Sequence, residues 1–175
     1  MAVQHLPRSM SMARHVLLYV FGFSSGWGIA PAVNELLLFD PNVLIMALTG
    51  AMVIFLSFSL TAMMTERRSQ LYLGGILSSG MLGLLALSFT NSLLQSASLF
   101  NAEVYLGLLL LAGYVCFDTQ VIVERSEQGH ADVPGDSLAL FTNLFGIFIR
   151  LLIILSRNRE EQAERDGRRK KRKNN

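Results

Sequence analysis

Charge is scarce in this chain: 16% of its 175 residues are Asp, Glu, Lys or Arg, against 51% hydrophobic. Together with a mean hydropathy of +0.42, that balance excludes an ordinary soluble domain and points to an integral membrane protein. Cysteine is nearly absent. The single Cys116 lies in an apolar stretch, which excludes a disulfide framework, and three scattered histidines leave no Cys/His metal cluster. The opening MAVQHLPRSMSMARH lacks the basic region, short apolar core and small-residue cleavage site of a signal peptide, so the first apolar stretch is expected to stay attached as a membrane anchor. No nucleotide motif and no strong metal motif stands out.

What the chain does have is long apolar runs. Residues 15–38 are apolar but broken by Gly22, Gly26, Gly28 and Pro31, with Gly22 and Gly26 a small-xxx-small pair that permits close helix approach. The link FDPN leads to 43–64, then come TERRSQ, 71–90 with Gly74, Gly75, Ser79, Gly80 and Gly83, the link NSLLQSASLFNA, and 103–125. After a hydrophilic break over 124–136 comes 137–156, interrupted by Asn143 and Arg150. Each run has about the length that roughly 30 Å of hydrocarbon demands. The expected fold is all-α: a multispanning transmembrane helix bundle with four full spans and a fifth segment that spans or re-enters. It would cover residues 15–156, between an N-terminal segment 1–14 and a basic tail 157–175.

Orientation follows from Lys/Arg near the spans. Arg8 and Arg14 place the N-terminal segment in the cytoplasm; Arg67 and Arg68, two crossings later, agree. Two more crossings return Glu124 and Arg125 to that side, so a full fifth crossing would carry the tail, with nine Lys/Arg against four Asp/Glu, to the other. The simplest reconciliation keeps the tail cytoplasmic and lets 137–156 dip in and return, which also eases the cost of Arg150. Broken segments of that kind are tolerated against protein or a wet cavity.

Asp118 organises the functional reading. An acid inside a span costs roughly 2.5–3.5 kcal/mol at a helix centre and is by default interior-facing and functional. Asp118 lies six residues before Glu124 and Asn143 six residues into the fifth segment, so both are expected roughly 9 Å below the cytoplasmic surface. An Asn amide can donate to a carboxylate, giving a polar plug or cation-coordinating point between two helices. Two such side chains offer too few oxygens for tight calcium binding, which favours transient coordination by Asp118 along a path. Asp118 is also a candidate pH sensor, because burial and neighbours set a carboxyl's charge. The plain alternative is a packing residue satisfied by Asn143, Thr119 or Thr142.

Arg150 follows Asn143 by seven residues on one helix face, about 10 Å deeper and out of reach of Asp118. It reads as a snorkelling or helix-terminus residue, or a lining of a pore or gate. Glu35 reads as interfacial, with path lining the lesser alternative. The tail run Arg168, Arg169, Lys170, Lys171, Arg172, Lys173 could suggest nucleic acid, but behind a membrane segment it belongs against anionic lipid or a partner, worth about 1 kcal/mol per basic residue. Enzyme chemistry is not expected: an intramembrane aspartyl protease needs two apposed acids sharing a proton, and Asp118 has no second acid at its depth. No cofactor is expected.

These residues also carry a resemblance. In GIAPAVNELLLFDPNVLIMALTGAMVIFLSFSLTAMMTERRSQLYLGGIL, in NAEVYLGLLLLAGYVCFDTQVIVE and in LALFTNLFGIFIRLLIIL before a basic tail, the chain resembles the Bax inhibitor-1 family, over roughly residues 14–173. FDTQ-x-I-x-E with the preceding N-x-x-x-Y-x-G is its most specific element. The resemblance implies an endoplasmic-reticulum protein that suppresses apoptosis and ER-stress death and lets calcium leak from the lumen, through a pH-sensitive gate closed by paired aspartates. Asp118 matches the first of that pair, and calcium is then a permeant ion and not a cofactor. Lipids and death-regulating membrane proteins are the implied partners. Two departures stand out. Asn143 occupies the usual place of the second aspartate, so no carboxyl pair can share a proton. The chain also begins just before what looks like the family's third span, without the region carrying an arginine that locks the closed state, and is expected to be a shortened form. A non-conducting scaffold that binds membrane proteins through its glycine-rich faces and tail is the competing reading.

Overall fold

A computed structural model describes residues 11–65 and 70–173, leaving out the side chains of residues 11, 70–72 and 173. The described residues form five helices and no strand: α1 Ser11–Phe39, α2 Pro41–Met64, α3 Gln70–Leu94, α4 Ala97–Glu127 and α5 Val133–Lys173. All five are long and apolar enough to cross a membrane, where a helix satisfies its own backbone and an open strand cannot. Turn chemistry sets the boundaries. Asp40 caps α2 by accepting from the Asn42 amide at 3.0 Å, with Pro41 at the first helical position. α4 closes with the Gln128 amide on the Glu124 carbonyl at 3.1 Å, and Gly129 takes φ +74° just beyond.

The bundle is built around α4 and α5. α4 touches α2, α3 and α5; α5 touches α1 and α2 as well; α3 rests on α4 and α1 on α2 and α5. Two apolar clusters hold the centre, one of Val43, Ala47 and Leu152, the other of Ala51, Val115 and Ile147. Gly74 and Gly80 of α3 face Phe117 and Leu110 of α4, so part of the small-residue face does pack tightly. A Cβ added at Gly22 or Gly26 would meet nothing within 4 Å, so the close approach that this pair permits is not used among the described residues.

α4 and α5 run antiparallel over the whole length of α4. Asn143 meets Asp118, Gly146 faces Leu111, Arg150 faces Gly107 and Arg157 donates to Asn101. The fifth segment therefore does not dip and return. It is one continuous 41-residue helix whose last turns project beyond the bundle as the tail. The dip was expected because a charge-count rule conflicted with a fifth crossing; α5 instead accommodates Arg150 by packing and keeps its backbone bonds.

The two ends of the bundle are pinned differently. At one, the Asp132 end, Arg14 pairs with Asp132 at 2.6 Å and Arg125 with Asp136 at 2.7 Å. At the tail end Arg159 stands 3.5 Å from Asp40, and the Arg157 guanidinium lies 5.1 Å from the centre of the Phe100 ring. Arg14 and Arg157 thus belong to opposite ends, and a bundle that crosses the bilayer puts them on opposite sides, not on the one side the sequence suggested. Arg8, Arg67 and Arg68 lie outside the described residues.

Candidate functional site

The polar contact anticipated from matching depths is present. Asn143 Nδ2 of α5 donates to Asp118 Oδ2 of α4 at 2.6 Å, and Asn143 is only 6% exposed. The two side chains meet because both helices enter from the Asp132 end and run antiparallel. Two turns above Asp118 on its face stands Arg125, and the charges of Arg125 and Asp136 both act on the Asp118 carboxylate. A hydrogen bond to an ionised group contributes about 1.5–3 kcal/mol, so this contact is among the stronger ties between α4 and α5.

Toward the tail end the seam turns apolar. Val115 and Ile147 are wholly buried and pack with Leu111 and Leu144, leaving the acid and amide above a closed hydrophobic layer. Thr119 Oγ1 lies 3.5 Å from the Ser59 hydroxyl, and the Cys116 thiol donates to the Phe58 carbonyl at 3.4 Å, tying α4 to α2 just behind the site. Thr142 donates to the Leu138 carbonyl at 2.8 Å and not to Asp118, which leaves Asn143 as the partner among those proposed.

Arg150 does not join Asp118. It lies half-buried against Gly107 on the same seam, and the charge of Glu103 acts on it. Glu35 is exposed at the tail end, beside an open groove of about 400 Å³ between α1 and α5 that Leu36, Leu152, Ser156 and Glu160 also line, and it is remote from Asp118. Arg168 to Arg172 are exposed on the projecting part of α5, with Arg168 3.5 Å from Glu164 one turn earlier; the Lys173 side chain lies outside the described residues. No group of three or more His, Cys, Asp or Glu able to hold a metal occurs among the described residues.

Two features escaped the sequence reading. The first is the Arg14–Asp132 pair, with Arg14 4% exposed; counting crossings already puts both residues at one end, so the signal was available. The second is the seating of Arg150 on Gly107, for which a lone glycine in an apolar run gave no warning.

Comparison with known proteins now bears on this geometry. Residues 1–160 match the family model described as Inhibitor of apoptosis-promoting Bax1. Bax inhibitor 1 of Arabidopsis thaliana is 42% identical over 143 residues, covering 81% of this chain and 58% of that protein. The Homo sapiens protein of the same name is 38% identical over 148 residues, with 85% and 62% covered. That of Drosophila melanogaster is 37% identical over 157 residues, with 90% and 64% covered. The chain thus spans about three fifths of the length of these curated relatives. No solved structure matches it. With identity of this order across most of the chain and a family model matching residues 1–160, this multi-pass membrane protein belongs to the Bax inhibitor-1 family.

Proposed function

We propose that the chain restrains cell death from the endoplasmic-reticulum membrane and that the α4–α5 seam is a calcium leak path gated at Asp118 and Asn143. Family membership supports the first part. The observation that carries the second is the 2.6 Å Asn143–Asp118 contact, a carboxylate held by one amide at the end of a seam between two long helices. Such a pair can release and re-form, exposing oxygens that coordinate calcium briefly and too sparsely to store it. Because Asn143 stands opposite Asp118 and does not titrate, no carboxyl pair shares a proton there, and pH sensitivity is correspondingly shallow.

Lys/Arg count assigns the sides. Nine of the fifteen lie in the tail, and of the described residues Arg14 and Arg125 stand at the Asp132 end; the tail end belongs in the cytoplasm. The basic run there is suited to anionic lipid or to an acidic region of a death-regulating partner. A non-conducting scaffold is the second reading, favoured by the complete burial of Val115 and Ile147 in the seam.

The test places the purified chain in liposomes loaded with a calcium dye and compares it with Asp118→Ala between pH 6 and 8. A leak whose rate or pH dependence changes on removing the acid supports gating. Equal flux from both, or none from either, selects the scaffold.

A further inference from the structure

Two turns along α5 from Asn143, Arg150 brings a full positive charge into the seam, and α4 makes room for it. A Cβ at Gly107 would stand 2.6 Å from Nη2 and 2.7 Å from Cζ of Arg150. Only a residue without a side chain lets the guanidinium lie on the α4 backbone at that point. One turn toward the tail end, on the same face, is Glu103, whose charge acts on Arg150. Glu103 is held from the other side: its Oε1 accepts from Ser88 Oγ of α3 at 2.8 Å. The negative charge is thus anchored by α3 and the positive one by α5, with α4 carrying both the acid and the bare seat.

Position along the seam gives this arrangement its meaning. Outward of it, between α4 and α5, opens a cleft of about 100 Å³ lined by Asn101, Tyr105, Arg157, Asn158 and Glu161, with room for several waters. Inward lie Leu111, Val115 and Ile147, and beyond them Asp118. The charges therefore stand between a polar mouth and an apolar plug, with Gly107, the seat of Arg150, about 16 Å and Glu103 about 22 Å from Asp118 along α4 by helical rise.

We propose that Glu103 and Arg150 form a charge-selecting layer at the tail-end mouth of the seam, in which Arg150 holds cations back and Glu103 offsets it. The inference rests on the leak reading above and names the groups that select ions on that path. A guanidinium in a passage of low dielectric opposes a divalent cation strongly, and an acid fixed one turn away restores part of the attraction. Glu103 is hydrogen-bonded to Ser88 of α3, and Arg150 lies in the space that Gly107 leaves open.

The liposome assay tests this with Arg150→Gln, Glu103→Gln, the double variant and Gly107→Ala, each checked by gel filtration. Arg150→Gln is expected to raise calcium flux roughly tenfold and Glu103→Gln to lower it by a similar factor, the scale of one unit charge a few ångström away in a partly wet site. The double variant should return close to wild type. Gly107→Ala keeps both charges but pushes the guanidinium off its seat, and should shift flux in the direction of Arg150→Gln. If Arg150→Gln does not fold, Glu103→Gln and Gly107→Ala carry the same comparison. A silent wild type removes the leak reading and this layer with it. A wild type that conducts and responds to Asp118→Ala, yet is unmoved by the Glu103 and Gly107 variants, overturns the charge layer alone.

Discussion

An amide facing a buried carboxylate behaves differently from a second carboxyl in the same place. Asn143 donates without titrating, so the 2.6 Å contact with Asp118 can form whichever charge the acid carries, with the amide turned to offer Nδ2 or Oδ1. Replacing Asn143 by Leu removes the donor and leaves a part-buried acid without its amide partner, at a cost of about 1–3 kcal/mol; a lower thermal midpoint in detergent, absent when Asp118 is also changed to Leu, would confirm the coupling. Asn143→Asp puts two carboxyls at this distance, where they titrate as one coupled unit. Stability or flux of that variant measured from pH 5 to 8 should vary more steeply than in the wild type, and identical profiles would argue that position 143 does not sense the acid. At this scale much was legible: residue counting alone matched the depths of Asp118 and Asn143. Arg150 was not, because its partner Gly107 is marked only by what it lacks, and the clash that a Cβ would cause exists only once α4 and α5 are packed.

Among the helices, α1 is the loosest. None of its most apolar stretch is buried, and Tyr19, Phe23 and Trp27 point outward one turn apart. Among the contacts that hold it are Ile29 and Leu36 on the Val43 cluster, the Phe21 ring edge-on to Phe141 with centroids 6.0 Å apart, and Arg14 on Asp132. In the last, the arginine is buried and the acid part-exposed, so deleting one partner should cost less than the roughly 3–5 kcal/mol of a fully buried pair. Gly135 lets the pair close, as a Cβ there would stand 2.6 Å from Asp132 Oδ2. In a Cys116→Ser background, Phe21→Cys and Phe141→Cys should cross-link readily, and adding Arg14→Gln should slow the reaction severalfold; an unchanged rate would mean that packing alone seats α1. Hydropathy was enough to find all five helices, but not their lengths. The link expected over 91–102 is largely helical, with α3 reaching Leu94 and α4 starting at Ala97. α5 runs on through 157–173 because Glu, Gln, Ala, Arg and Lys are good helix formers and Arg165 and Arg168 sit one turn after Glu161 and Glu164.

For the molecule as a whole, continuity of α5 decides which surfaces share a compartment. A re-entrant fifth segment would have kept residues 124–136 and the tail together; a crossing helix separates them by the thickness of the bilayer. The nine Lys/Arg of the tail then favour a cytoplasmic tail, which would put the Asp118 end on the opposite side of the membrane. Arg14 and Arg125 do not oppose this orientation strongly, because each is already held by an acid at its own end. Single cysteines introduced in the Cys116→Ser background read the result directly. Gln128→Cys, exposed in the α4–α5 link, and Glu164→Cys, exposed on the projecting helix, should react with a membrane-impermeant thiol reagent from opposite sides of sealed microsomes, Glu164→Cys from the cytoplasmic one. Labelling of both positions from one side would restore a fifth segment that turns back, and with it would go the continuous α4–α5 seam on which both the leak path and its charge layer depend.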